Sequence, residues 1–145
     1  MQINYKKLNP LAKEPHHGSE FAAGYDLYAA IDHYVLIKPH TTEKIGTGLA
    51  IQIPHGYYGA IYARSGLATK EGVRPSNCVG ICDEDYTGEY IVALHNDSDV
   101  IRTISPNERI AQLIVSPYLS VEFNEVLELE ETARGAGGFG STGIK

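Results

Sequence analysis

Gly80-Ile81-Cys82-Asp83-Glu84-Asp85-Tyr86-Thr87-Gly88 sets three consecutive carboxylates and a tyrosine between two glycines, after an apolar approach through Cys78 and Val79. Such a cluster of carboxylates suggests a hairpin with chemistry at its bend. Read as a hairpin, the stretch sends alternate side chains to opposite faces. Asp83 and Asp85 then share one face, roughly 6–7 Å apart, with Glu84 and Tyr86 on the other. The plainer reading of the same residues is an acidic turn whose side chains hydrogen-bond their own backbone.

Other stretches carry polar groups where apolar ones are expected. Ala23-Gly24-Tyr25-Asp26-Leu27-Tyr28-Ala29-Ala30 places a lone Asp in an apolar run. A buried carboxylate there either caps backbone N–H groups or faces a metal and its waters, because an unpaired one is costly. In Tyr62-Ala63-Arg64-Ser65-Gly66-Leu67-Ala68 a strand gives way to a short helix. Arg64, the Ser65 hydroxyl and the first helical N–H groups can then converge on an anion. Ile110-Ala111-Gln112-Leu113-Ile114 sets one amide in an apolar strand. Gly135-Ala136-Gly137-Gly138-Phe139-Gly140 satisfies G-x-G-x-x-G, but only five residues follow it. The helix and second strand of a dinucleotide site are therefore missing. What remains is a flexible, phosphate-compatible arm with Arg134 for charge, Ser141 and Thr142 for hydroxyl donors, and the lone aromatic Phe139.

The elements that must position these groups are short strands. Leu49 to Ile53 and Tyr58 to Ala63 alternate around the His55-Gly56 turn. Glu89 to Leu94, Val100 to Ile104, Ile110 to Val115 and Val121 to Leu129 read as further strands between turn signals. The helix is placed over Ser65 to Glu71, with Ser65 as its cap and Gly72 as its stop. The expected fold is all-β: a jelly-roll-like antiparallel barrel or sandwich with one short helix. Residues 1–132 form the domain, and glycine-rich residues 133–145 form a mobile arm.

Composition narrows the partners. Twelve Lys and Arg against eighteen Asp and Glu give a formal charge of −6, which argues against polymeric nucleic acid. Cys78 and Cys82 lie in a stretch that reads as strand, with Cα atoms roughly 13 Å apart, beyond disulfide reach. They read as core thiols of a reducing compartment. No zinc-ligand spacing, signal peptide or membrane span is visible, so the chain is expected to be cytoplasmic and the Asn96-Asp97-Ser98 sequon unused.

Five of these stretches, Ala23 to Ala30, Ala63 to Ala68, Gly80 to Gly88, Arg109 to Leu113 and Arg134 to Gly143, resemble in order and spacing the signature motifs of the trimeric dUTP pyrophosphatases (dUTPases). That resemblance implies a homotrimer with shared active sites and a Mg²⁺-dependent hydrolysis of dUTP to dUMP and pyrophosphate. Such an enzyme removes dUTP from the nucleotide pool and supplies dUMP for thymidylate synthesis. By the same resemblance Asp83 is the base that activates water. Asn77, Gly80, Ile81 and Cys82 surround uracil, Ile91 lines the pocket, and Tyr86 packs under the deoxyribose and excludes a 2′-hydroxyl. Arg64, Ser65, Gly66 and Gln112 take phosphates, and Asp26 supports Mg²⁺ through water. Arg134, Gly140 and Ser141 close on the terminal phosphates while Phe139 stacks on the base. Ala136, Thr87, Cys82 and the Asn107-Glu108 pair depart from the usual family residues without removing a catalytic group. Cys82 beside Asp83 adds an expectation of oxidation sensitivity. A dCTP deaminase of the same fold and a dUTP-gated regulatory binding protein are the alternative readings.

Overall fold

The computed structural model describes residues 1–138. Twelve strands and one helix follow in chain order: β1 (Asn4–Lys7), β2 (His16–His17), β3 (Tyr25–Tyr28), β4 (Val35–Ile37), β5 (Thr42–Gly46), β6 (Leu49–Gln52), β7 (Tyr57–Tyr62), α1 (Ser65–Glu71), β8 (Val73–Pro75), β9 (Val79–Cys82), β10 (Ile91–Asn96), β11 (Arg102–Ile104) and β12 (Arg109–Pro117). Every pairing is antiparallel. The largest sheet has the order β2-β3-β12-β7-β9; smaller ones are β5-β10-β8, β1-β6 and β11-β4. The strand-rich, one-helix architecture expected from the alternating runs is the observed one, and its jelly-roll-like character follows from the structural relatives described below.

One apolar cluster unites the sheets. Leu27, Ile37, Ile45, Leu49, Ile61, Val92, Leu94, Ile104, Ile110 and Leu113 meet in it, with Tyr90 fully buried among them. Alternation explains the sidedness. In β10 the buried residues are Val92, Leu94 and Asn96, and in β6 they are Leu49 and Ile51. Asn96 is buried because its amide bridges strand ends, donating to the Ile37 carbonyl at 3.0 Å and the Val100 carbonyl at 2.8 Å. The sequon asparagine is thus a core amide satisfied by backbone.

Four local expectations are corrected. The Gly80–Gly88 stretch is not a hairpin, because β9 pairs with β7 whereas β10 pairs with β5 and β8. It carries the chain from one sheet to another, and Tyr90 just beyond it is buried in the core. Ser65 does not cap α1. Arg64 holds the N-cap position in extended conformation with no side-chain cap bond, while Gly72 ends the helix at φ 69° as expected. Cys78 is exposed in a turn at φ 59°, so only Cys82 is a core thiol. Val121 to Leu129 forms no strand: alternation signals one only where a pairing edge is available, and the chain there has no regular secondary structure, with Phe123 97 % exposed. The sequence reading also passes over β1, β2, β3, β4, β5 and β8, whose two to five residues are too few for a periodic signal. At the Asn107-Glu108 departure, Asn107 adopts φ 62°, a left-handed conformation that Asn tolerates nearly as Gly does.

Candidate active site

Asp26 sits on β3, on the face opposite Leu27, and is buried to 7 % exposure. Its neighbour on β12 is set by a bulge. Arg109 pairs with Tyr28, but the next paired residue is Ala111, opposite Leu27, so the extra residue brings Gln112 directly opposite Asp26. Gln112 also pairs with Tyr62 of β7, and its amide donates to the Ala63 carbonyl at 2.8 Å. Gly24 makes room for it, since a Cβ at residue 24 would collide with the Gln112 amide oxygen.

The lone buried carboxylate is compensated twice. Arg64 Nε donates to Asp26 Oδ1 at 2.7 Å and Arg109 Nη1 to Oδ2 at 3.2 Å. Charge-assisted bonds of this kind offset the desolvation that a buried carboxylate suffers. Asp26, Arg64, Ser65, Arg109 and Gln112 border one polar cavity of about 180 Å³. Gly66 follows Ser65 on the helix, with open space where a Cβ would stand. The sequence singles out Arg109 only as part of a motif. The signal that could have given it a role was the need of Asp26 for a counter-charge.

A second cavity, about 250 Å³, is lined by Asn77, Gly80, Ile81, Cys82, Asp83, Tyr86 and Ile91, together with Ile61, Glu89 and Tyr90. Seven of the sequence-derived residues therefore come together here. The Asn77 amide lies against the Gly80 backbone, 3.4 Å from where a Cβ would be, so this rim is backbone with one amide beside it. Tyr86 is fixed at both ends of its ring. Its hydroxyl donates to the Glu89 carbonyl at 2.8 Å, and a Cβ on Gly88 would lie 2.6–2.9 Å from ring and hydroxyl atoms. Glu89 is tied down in turn, its carboxylate accepting the Gly48 N–H at 2.8 Å. Burial pushes the Cys82 thiol up, which keeps it protonated and runs against the expected oxidation sensitivity.

Asp83 stands where β9 has ended. The Tyr86 N–H donates to the Asp83 carbonyl at 3.1 Å and closes a turn, so strand alternation stops before the carboxylates. All three, Asp83, Glu84 and Asp85, border a third cavity with Tyr58, Ile81 and Tyr118 instead of dividing between two faces. Asp83 and Ile81 line both this cavity and the second one. Glu84 reaches across to the β6–β7 turn, accepting the Gly56 N–H at 2.6 Å and pairing with His55 Nδ1 at 2.7 Å. The His55 bond, then the Gly56 N–H, holds the Glu84 carboxyl below its ordinary range. A lowered pKa means the interaction is present at neutral pH and lost only as the solution acidifies through that depressed value.

The Arg64–Asp26 cavity and the Asn77–Tyr86 cavity share no lining residue. Arg134 is exposed and its Nε donates to the Gly137 carbonyl at 2.9 Å, within its own segment. Phe139, Gly140 and Ser141 lie outside the described residues. Among the described residues no group of three His, Cys, Asp or Glu side chains could cage a metal, and no helix is long and apolar enough to cross a membrane.

Comparison with known proteins gives the same outline. The dUTPase family model matches residues 11–143. A deoxyuridine 5'-triphosphate nucleotidohydrolase of Nautilia profundicola is 48 % identical over 143 residues, 99 % of each chain, and that of Hydrogenobaculum sp. is 45 % identical over the full length of both. Among solved structures, the Staphylococcus bacteriophage 80alpha dUTPase with dUpNHpp superposes with a TM-score of 0.90 at 29 % identity, covering 99 % of both chains. A mutant dUTPase of phage phi11 of S. aureus, described for its coordination of a structural Mg(II) ion, matches at a TM-score of 0.79 and 25 % identity, over 90 % of this chain and all of that one. With a family match across nearly the whole sequence and full-length relatives well above the level at which folds and families coincide, this chain belongs to the dUTPase family.

Proposed function

We propose that the chain hydrolyses dUTP to dUMP and pyrophosphate at sites assembled from more than one copy. The observation that carries the reading is the division of labour between two cavities: arginines and an amide around Asp26, and a backbone-rimmed slot closed by a tyrosine beside Asp83. The first suits phosphate oxygens, since guanidinium groups bind them with directed, charge-assisted bonds. The second suits a flat base with a sugar behind it.

Asp83 carries the hydrolytic step. Its carboxylate is exposed between two cavities and makes no side-chain hydrogen bond among the described residues. It is free to hold a water and take one proton from it as the oxygen attacks the triphosphate and the α–β anhydride opens. Arg64 and Gln112 hold phosphates, with Ser65 and Gly66 beside them. Mg²⁺ bound with the triphosphate supplies charge neutralisation on its oxygens. The residues present fit an outer role towards that ion. Each Asp26 oxygen is engaged by one guanidinium and keeps acceptor capacity for a metal-bound water, and Mg²⁺ retains several waters readily.

A homotrimer with shared sites is supported by two features. The phosphate-type and base-type cavities are separate within one chain, and the segment after β12 leaves Leu119, Val121, Phe123, Leu127 and Leu129 exposed. A chain stretch so apolar is suited to lie against another copy. In this reading residues 1–132 are the β domain and residues 133–145 the arm that closes over a neighbour's site, bringing Arg134, Phe139, Gly140 and Ser141 to the substrate.

Pyrophosphate release measured with dUTP, UTP, dCTP and dTTP, with and without Mg²⁺, tests the whole reading. Rapid, Mg²⁺-dependent release from dUTP alone is expected; ammonia release from dCTP would instead identify a deaminase. Tyr86 gives a sharper expectation. Tyr86→Ala should raise UTP hydrolysis relative to dUTP by roughly tenfold or more, as loss of a steric contact worth about 1–3 kcal/mol allows. Gly88→Ala should move the same way, because the added methyl displaces the ring. Unchanged discrimination in both variants would remove the tyrosine from that role.

A further inference from the structure

We infer that Glu84 is a positioning residue for hydrolysis: its carboxylate clamps the turn bearing Asp83 onto the His55-Gly56 turn and so fixes where Asp83 holds water. The inference rests on the reading of Asp83 as the proton acceptor.

The β7–β9 ladder ends at the Gly59–Cys82 pair, one residue short of Asp83. Beyond it the turn is closed on itself by the Tyr86 N–H to Asp83 carbonyl bond, which gives shape but no anchorage to the domain. Among the described residues, every side-chain hydrogen bond that ties residues 83–85 to another element is made by Glu84. Its Oε2 accepts the Gly56 N–H and its Oε1 pairs with the ring of His55. An ionised carboxylate only accepts, so His55 presents Nδ1–H.

The receiving turn is well held. The Tyr57 N–H donates to the Pro54 carbonyl at 3.1 Å, and the Tyr118 N–H to the Gly56 carbonyl at 3.1 Å, so it stands at the root of β7 and β12. A solvated turn carboxylate would bond to its own backbone. Glu84 instead spans 28 residues in sequence, with its side chain only 25 % exposed. Two bonds from one side chain fix the turn in both position and rotation. Asp85, the next residue, makes no side-chain hydrogen bond among the described residues.

The expected kinetics differ from those of a stabilising surface contact. Asn77, Gly80 and Ile81 precede the ladder's end, so base binding is held independently of the clamp. Releasing Glu84 loosens Asp83, and a displacement of about 1 Å in such a group costs up to about 10²-fold in rate. In the full-length protein, Glu84→Ala should lower kcat for dUTP about tenfold or more with KM within about twofold. Glu84→Gln keeps an acceptor for the Gly56 N–H and should recover most of kcat. His55→Ala removes the exposed half of the clamp and should lower kcat a few-fold. It also decides the matter, together with Glu84→Gln, if Glu84→Ala does not fold.

Asp83→Asn is measured beside them, with thermal unfolding of every variant. A Glu84→Ala kcat within about twofold of the parent, or a loss shared equally by kcat, KM and Glu84→Gln, overturns the clamp. If Asp83→Asn is inactive while Glu84→Ala is fully active, the clamp alone fails. If Asp83→Asn stays active, the reading of Asp83 fails first.

Discussion

Asp83→Asn should reduce dUTP turnover by about 10²–10⁴-fold, the usual worth of a positioned acid–base group, while dUTP binding changes little. The substitution keeps the shape of the side chain and removes its capacity to take a proton. Asp83 lies outside the core, and no side-chain hydrogen bond of its own is lost among the described residues. Unfolding temperature should therefore stay close to that of the parent. The Asn77–Tyr86 cavity keeps its backbone rim, because Gly80 and Ile81 are held by pairing with β7. Equilibrium binding of a non-hydrolysable dUTP analogue and single-turnover rates separate the two effects. Strong residual hydrolysis would show that another group accepts the proton.

Deleting residues 133–145 should leave folding and assembly intact and cost about 10²-fold in kcat/KM. Among the described residues the buried cluster ends at Leu113, with Val115 packed against it, so residues 133–138 contribute nothing to the core. Within the described part of that segment, Arg134 bonds only to Gly137, and neither touches the cavities described above. On the reading of the arm as a lid, its contribution comes when a triphosphate gives the arm's donors something to bind and water is excluded from the reaction. Charge-assisted bonds to phosphate of the kind Arg134 offers are each worth about 1.5–3 kcal/mol, enough for losses of this size. Size-exclusion chromatography and steady-state kinetics check the two halves of the expectation. A truncated protein working at the full rate would end the reading of the arm as a lid.

Removing Asp26 would act differently from either change. Arg64 and Arg109 converge on that one carboxylate, so its loss leaves two guanidinium groups uncompensated at the rim of the same cavity. Any effect of the substitution on activity would therefore include the release of two arginines.

The sequence by itself determined the class of fold and the family, and it named the candidate site residues. Short alternating runs broken by turn residues can only bury their apolar face in a layered β structure, and five motifs in order name the residues that β3, α1, β9 and β12 present. Local signals also placed the end of α1, because a glycine stop acts within a few positions, whereas its N-cap falls one residue before the expected Ser65, at Arg64.

The tertiary structure decided everything that depends on which edge meets which. Cys82 and Ile91 flank an apparent hairpin, yet their strands join different sheets, and nothing within nine residues encodes that choice. The bulge at Arg109 to Ala111 shifts Gln112 by one position to face Asp26, a register invisible to alternation. The segment Val121 to Leu129 carries a strand pattern with no edge to join within the chain. Glu84, which reads as one more acid in an acidic turn, became a tether only because folding brings Gly56 to within 2.6 Å of it. Pattern is a property of neighbours in sequence, whereas pairing and clamping are contacts across it, and those are fixed only when the whole core closes.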